Sequence, residues 1–174
     1  FRIMAQNQSN LSQMADSKAN ILISVNSIIL TIVISTLSTK LESNSYLQIP
    51  VIILVTVCVS AIVFSILATH PHVTEGTFTP EDIQNKKTNL LFFGNFYKMS
   101  LPDYDWAMQE LLADKNYLYS SLVKDNYFLG VVLAKKYRWL RIAYNVFMFG
   151  IIIAMVAFAV AVAIPQATEV YAPG

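Results

Sequence analysis

The sequence ANILISVNSIILTIVISTLST, residues 19–39, contains no charged side chain. A helix of about 20 apolar residues crosses the hydrocarbon core of a bilayer, so this stretch predicts a membrane-spanning helix. Its polar residues recur every three or four positions and therefore share one face of that helix. The face starts before the span and consists of Asn10, Gln13, Ser17, Asn20, Ser24, Ser27, Thr31, Ser35 and Ser38, which we call the polar stripe.

The polar stripe has two interpretations, because hydroxyl and amide groups are costly in hydrocarbon and should face other helices or water. In the first, the hydroxyls bond to carbonyls of their own helix and permit close packing against the other spans of the chain. In the second, the stripe lines a hydrated path or a seam between subunits, and three helices alone enclose too little space for a pore. The pore or seam candidates are Asn20, Ser24, Ser27, Thr31, Ser35 and Ser38.

Two more uncharged runs, residues 47–69 and 142–166, are also long enough to cross a bilayer. With 55% hydrophobic residues and a mean hydropathy of +0.50, the composition is that of an integral membrane protein. We predict an all-α fold with three transmembrane helices. Residues 1–69 contain a cytosolic N-terminal helix from about Ser9 and a transmembrane hairpin with spans at about 19–39 and 49–69. A cytosolic helical segment follows at 70–141, then a third span at 142–164 and an external tail at 165–174.

The basic residues predict the orientation of the chain. Of the 12 Lys and Arg residues, Lys40 alone falls between the first two spans, and none follows the third. Since basic residues are retained on the cytoplasmic side, the N-terminus and residues 70–141 are expected in the cytoplasm and the C-terminus outside. A net charge of +1 suggests no nucleic-acid partner.

The segment between the second and third spans contains helix-start signals at Thr79 and Ser100. From about Asp103 there is no proline until Pro165, and a helical apolar face predicts that the helix containing Arg141 continues unbroken into the third span. An aromatic and basic collar is expected to anchor this helix at the inner interface. The anchor residues are Lys135, Lys136, Arg138, Trp139 and Arg141.

Small residues at intervals of three or four predict grooves for close helix approach. The third span carries the clearer groove and the second span a weaker one. The packing candidates are Gly150, Ala154, Ala157 and Ala161, with Ala61 and Ser65 in the second span.

The sequence offers no catalytic constellation, since it lacks a phosphate-binding glycine loop, a nucleophile elbow and a His/Asp/Ser grouping. His70 and His72 flank a proline with no third ligand nearby, so neither a metal nor another cofactor is expected. Aromatic residues beside a lysine resemble a surface that stacks a nucleotide base, but the same residues also form cores. The weak ligand-contact candidates are Phe96, Tyr97, Lys98 and Tyr117.

Three long blocks resemble a known family: MADSKANILISVNSIIL at 14–30, KTNLLFFGNFYKMS at 87–100, and KNYLYSSLVKDNYFLGVVLAKKYRWLRIAYNVFMFG at 115–150. Together they resemble the transmembrane effector domain of Pycsar, a bacterial anti-phage system. The resemblance implies an effector that impairs the inner membrane in response to cyclic CMP or cyclic UMP. Similar domains also occur fused behind HD-type phosphohydrolase domains, which would suit a chain that starts at Phe1.

The expected function is therefore that of a non-enzymatic anti-phage effector, which forms a homo-oligomer in the lipid bilayer of the bacterial inner membrane and impairs its integrity or potential. The alternative is a structural membrane anchor and oligomerisation module for a fused upstream soluble domain. The first requires a polar stripe that becomes wet, whereas the second is satisfied by a stripe that stays dry.

Overall fold

The computed structural model describes the backbone of residues 1–40, 45–70 and 89–170, and the side chains of residues 1–36, 46–70, 89–92 and 94–163. Throughout these ranges the regular structure is helical. The helices are α1 (Arg2–Lys40), a short 3₁₀ turn (Ser45–Leu47), α2 (Gln48–Thr69), α3 (Phe93–Phe96), α4 (Leu101–Ala113) and α5 (Lys115–Val170). The helix expected after Thr79 lies outside the described residues.

Three of the described helices are long and apolar enough to cross a membrane: α1, α2 and α5. Their most apolar windows have mean hydropathies of 1.9, 3.0 and 2.8. The predicted all-α fold with three spans is thus confirmed. The long helix leading into the third span is also present, because α5 is a single helix of 56 residues.

Helix α1 is longer than expected, since it begins at Arg2 rather than near Ser9. The Phe1 carbonyl accepts a hydrogen bond from the Ala5 N–H at 3.0 Å, which starts the helix. Tertiary contacts hold this first part: the Phe1 ring lies 6.4 Å from the Tyr119 ring, and Gln8 Nε2 donates to the Asn126 carbonyl at 3.2 Å. Local sequence signals could not reveal these contacts between residues far apart in the chain.

Side-chain caps begin α4 and α5. The Ser100 hydroxyl accepts the Asp103 N–H at 3.3 Å, so the helix start predicted at Ser100 is present. The Asp114 carboxylate accepts the N–H groups of Asn116 and Tyr117 at 2.9 and 3.3 Å. Each cap satisfies backbone donors that have no partner within the first helical turn. Asp114 itself has an extended backbone, which separates the two helices.

The chain divides into two compact units. The first unit comprises residues Phe1–Ser12 and Pro71–Lys135. Its core is formed by Leu90, Ala107, Leu111 and Tyr117, all nearly inaccessible to solvent. Met99 and Met108 pack against this core from its edge.

The second unit comprises Gln13–His70 and Lys136–Gly174 and contains the apolar parts of α1, α2 and α5. Its buried residues are mostly small, which allows helices to approach closely in a bilayer. They include Ala15 and Ala19 of α1, Cys58, Ala61, Ser65 and Ala68 of α2, and Ala143, Gly150, Ala154 and Ala161 of α5.

Gly150 marks a close approach between α5 and α2. A Cβ atom added there would lie 3.0 Å from Val57 Cβ and closer still to both Val57 methyl groups. Valine is stiff about χ1 and cannot easily turn away. Any side chain at position 150 would therefore push the two helices apart.

We expect Gly150→Ala to lower the free energy of unfolding in detergent by about 1–3 kcal/mol, the usual cost of overpacking a close contact. Val57→Ala in the same chain should restore much of the loss because it removes both opposing methyl groups. Thermal unfolding followed by circular dichroism measures both effects. Gly130→Ala is the matched control, because it makes the same change in the same helix at a site where an added Cβ would have its nearest contact at 3.7 Å, with Gln8 Nε2. Equal losses in the single and double variants would contradict the contact.

Candidate membrane face and charged rim

From Gln13 to Ser35 the polar stripe lies on the outer surface of the second unit. Asn20, Ser24, Ser27, Thr31 and Ser35 are all exposed, as are Gln13 and Ser17 before them. The side chain of Ser38 lies outside the described residues. The described side chains of the stripe are therefore not buried against the chain's own spans, which differs from the close packing in the first of the two interpretations.

A different face of α1 makes the contacts within the second unit. Ala15, Ala19, Leu22 and Asn26 are buried and recur at helical spacing. At 3.6 residues per turn their mean direction is about 150° from that of the stripe. The stripe is consequently on the side of α1 opposite to the packed face.

Three of the stripe hydroxyls, those of Ser24, Thr31 and Ser35, are hydrogen-bonded to their own helix. Ser24 donates to the Asn20 carbonyl at 2.9 Å, Thr31 to Ser27 at 2.9 Å and Ser35 to Ile32 at 3.0 Å. This back-bonding satisfies each hydroxyl proton, while the oxygen can still accept a further bond. The face thus tolerates an apolar surrounding but also offers acceptors to water or to a second chain.

Asn26 is a polar residue of the first span that the stripe analysis missed. It is 0% exposed, and its Nδ2 donates to the Leu22 carbonyl at 2.8 Å. Its Oδ1 has no hydrogen-bond partner within the described structure. A buried acceptor without a partner is destabilising. The sequence did contain a signal for this residue, because Asn26 is polar, lies in the middle of the uncharged run 19–39 and is out of phase with the stripe.

Asp16 and Lys18 of α1 and Lys136, Arg138 and Arg141 of α5 form what we call the charged rim of the second unit. It contains an ion pair between α1 and α5. Lys136 Nζ lies 2.8 Å from both carboxylate oxygens of Asp16, and its side chain is largely buried. Only the folded chain reveals this pair, because 120 residues separate its members. The pair fixes the α1–α5 register at the charged end of the spans.

The remaining predicted anchors lie around this pair. The Trp139 ring stacks on Phe64 of α2 at a centroid distance of 6.0 Å and is only partly exposed. Lys135, Arg138 and Arg141 are exposed. Trp139 therefore contributes to packing as well as to the rim, while the three cations remain accessible.

The predicted packing residues differ in burial. Ala61, Ser65, Gly150, Ala154 and Ala161 are buried, and Ala157 is half-buried. The Ser65 hydroxyl donates to the Ala61 carbonyl at 2.8 Å, so it adds no unsatisfied donor to the interface. All six lie on α2 or α5.

The weak ligand-contact candidates do not form one surface in the first unit. Tyr117 is 4% exposed and belongs to the core, which prevents its ring from stacking a ligand. Tyr97 is 49% exposed, with Lys98 Nζ 5.4 Å from its ring centroid. The Phe96 ring packs on Tyr104 at 4.8 Å.

The first unit also contains a half-buried carboxylate. Burial raises the pKa of the Asp125 carboxyl, and the side chain of Asn89 acts weakly in the opposite direction. Among the described residues, no group of three or more His, Cys, Asp or Glu side chains is arranged to hold a metal ion.

The fold and the arrangement of its surfaces define a helical integral membrane protein with a polar outer face on its first span. The family model for the Pycsar effector protein domain matches residues 1–163, and the chain belongs to this family. The resemblance seen in the sequence blocks is thereby confirmed. The family is one of membrane effectors that are generally not enzymes. Comparison with curated proteins gives no match, and comparison with solved structures gives none either.

We expect Asn26→Leu to raise the free energy of unfolding by about 1–3 kcal/mol, because an apolar side chain of similar branching replaces a buried acceptor that lacks a partner. Thermal unfolding in detergent measures the change. Asn20→Leu is the control, because Asn20 is exposed and its replacement should shift stability much less. A loss of stability in Asn26→Leu alone would show that Oδ1 has a partner in the folded protein.

We expect Asp125→Asn to stabilise the protein at neutral pH. The folded-state pKa of Asp125 is raised, so its stabilising contribution is present below the unfolded-state pKa and lost as the pH rises through the folded-state pKa. The gain over wild type should therefore shrink as the pH falls from neutral into the acidic range. Unfolding midpoints across this range test the sign, with the exposed Glu110→Gln as control. A gain that grows on acidification would contradict the proposed burial effect.

Proposed function

We propose that the protein is an oligomeric anti-phage effector of the bacterial inner membrane, in which the polar stripe of α1 forms the seam between copies and becomes a hydrated path. The observation that carries this proposal is the exposure of Asn20, Ser24, Ser27, Thr31 and Ser35 on one side of a membrane-spanning helix. Five polar side chains on one lipid-facing surface would be unfavourable. A second copy or water covers them at lower cost.

The hydrogen bonds of the stripe support a seam with two states. Because the hydroxyls of Ser24, Thr31 and Ser35 donate within their own helix, copies can pack through this part of the stripe without water. Because the same oxygens still accept, they can also solvate a file of water or ions. Neither arrangement leaves these three hydroxyl donors unpaired, so a modest differential affinity of a ligand is enough to shift the balance.

The trigger belongs to the same proposal. Family membership suggests cyclic nucleotide signalling, and we assign the activating ligand to cyclic CMP or cyclic UMP. The N-terminus and residues 70–141 are cytoplasmic, and the C-terminus is outside. Helix α5 contributes residues to both compact units and transmits the signal into the membrane.

Replacement of Ser24, Ser27, Thr31 and Ser35 together by Ala or Val should abolish loss of membrane potential in cells that make the cognate signal. A potential-sensitive dye measures it. Thr56→Val with Ser60→Ala is the matched control, because these α2 hydroxyls also bond back to their own helix and should be dispensable. Depolarisation by the stripe variant despite normal assembly would refute the hydrated path.

Crosslinking tests the seam separately from conduction. Cys58 is the single cysteine, so a Cys58→Ala background accepts new ones. Ser27→Cys should form disulfide-linked dimers, whereas Ile52→Cys, exposed on α2, should not. Crosslinking at Ser27 without any change of potential on signalling would favour the membrane-anchor alternative.

A further inference from the structure

A separate groove lies at the charged rim of the second unit. It has a volume of about 380 Å³ and is lined by Lys18, Tyr137, Leu140, Arg141 and Tyr144. Leu140 is buried, whereas Lys18, Arg141 and Tyr144 are exposed. The Tyr144 hydroxyl lies 3.5 Å from the Lys18 carbonyl, which joins the two sides of the groove. Two cations and two phenols therefore surround an apolar floor.

The two cations of this groove are available to an anion. In the described part of the chain, neither Lys18 nor Arg141 forms an ion pair with a carboxylate, whereas the neighbouring Lys136 is paired with Asp16. An ammonium and a guanidinium together suit a phosphate, since guanidinium donates two parallel hydrogen bonds and ammonium adds a point charge.

The surface next to the groove suits a lipid. Along α5 from Arg141, Met148 and Ile152 are exposed at helical spacing beyond Tyr144. Along α1 from Lys18, Ile21 and Val25 are exposed in the same way. Both apolar tracks run into the spans, where acyl chains lie. A soluble phosphate would use the cations but not these tracks.

From this arrangement we infer that the groove is a binding site for the phosphate of an anionic phospholipid, with Lys18 and Arg141 binding the phosphate and the two apolar tracks contacting the acyl chains. Basic pockets beside membrane helices bind anionic headgroups in this manner. The site lies apart from the polar stripe and does not depend on whether the stripe conducts.

Native mass spectrometry of the purified full chain tests the site. The probes are phosphatidylglycerol and phosphatidylcholine with identical acyl chains. We expect selective retention of phosphatidylglycerol by the wild type. Lys18→Gln with Arg141→Gln should weaken it by about 25-fold, since each cation near an anionic surface contributes about fivefold in affinity. Lys18→Arg with Arg141→Lys keeps both charges and should retain the selectivity.

Lys135→Gln with Arg138→Gln is the matched control, because it removes two exposed cations of the same helix that do not line the groove. An equal loss in this variant would overturn the site. Equal retention of both lipids by the wild type would overturn it without any variant. If inorganic phosphate or soluble glycerophosphoglycerol competes at the concentration effective for the lipid, the ligand of the groove is a soluble phosphate and the lipid site is refuted.

Discussion

Close contact between small residues is the interaction on which the second unit depends. Within a bilayer, apolar side chains gain little by leaving lipid for protein, so helices associate through dispersion at short range. The buried faces of α1, α2 and α5 accordingly carry Ala, Ser and Gly, and Gly150 has no room for a methyl group against Val57. The bulky Ile, Leu and Val residues are left to face outward, where lipid solvates them.

This packing explains why the first span has two kinds of polar residue. Asn26 lies on the packed face, because its side chain is inside the second unit and bonds to the preceding turn. The stripe is on the opposite side of the helix, because Ala15 and Ala19 take up the contact with the rest of the unit. Exposed polar groups on a membrane-spanning helix are unfavourable against lipid. The chain belongs to a family of membrane effectors.

The charged rim combines stability with accessibility. Lys136 and Asp16 neutralise each other across α1 and α5, and Trp139 packs on Phe64. Lys18 and Arg141 lie close by in sequence yet have no such partner in the described structure, so basic residues within two helical turns differ in their pairing. Which lysine is paired depends on the rotation of each helix about its axis, and no count of charges reveals it.

The sequence by itself determined the three spans, the all-helical fold, the family and the start of α4 at Ser100, because length, hydropathy and capping are local properties of the chain. Tertiary structure alone decided which side of α1 is packed and why the helix extends back to Arg2. It also decided that Tyr117 is a core residue, that Asn26 is buried and that Asp16 pairs with Lys136. The periodicity of the polar residues shows only that they share one face of the helix. Their surroundings depend on helices that are distant in sequence, since packing is a property of pairs of surfaces.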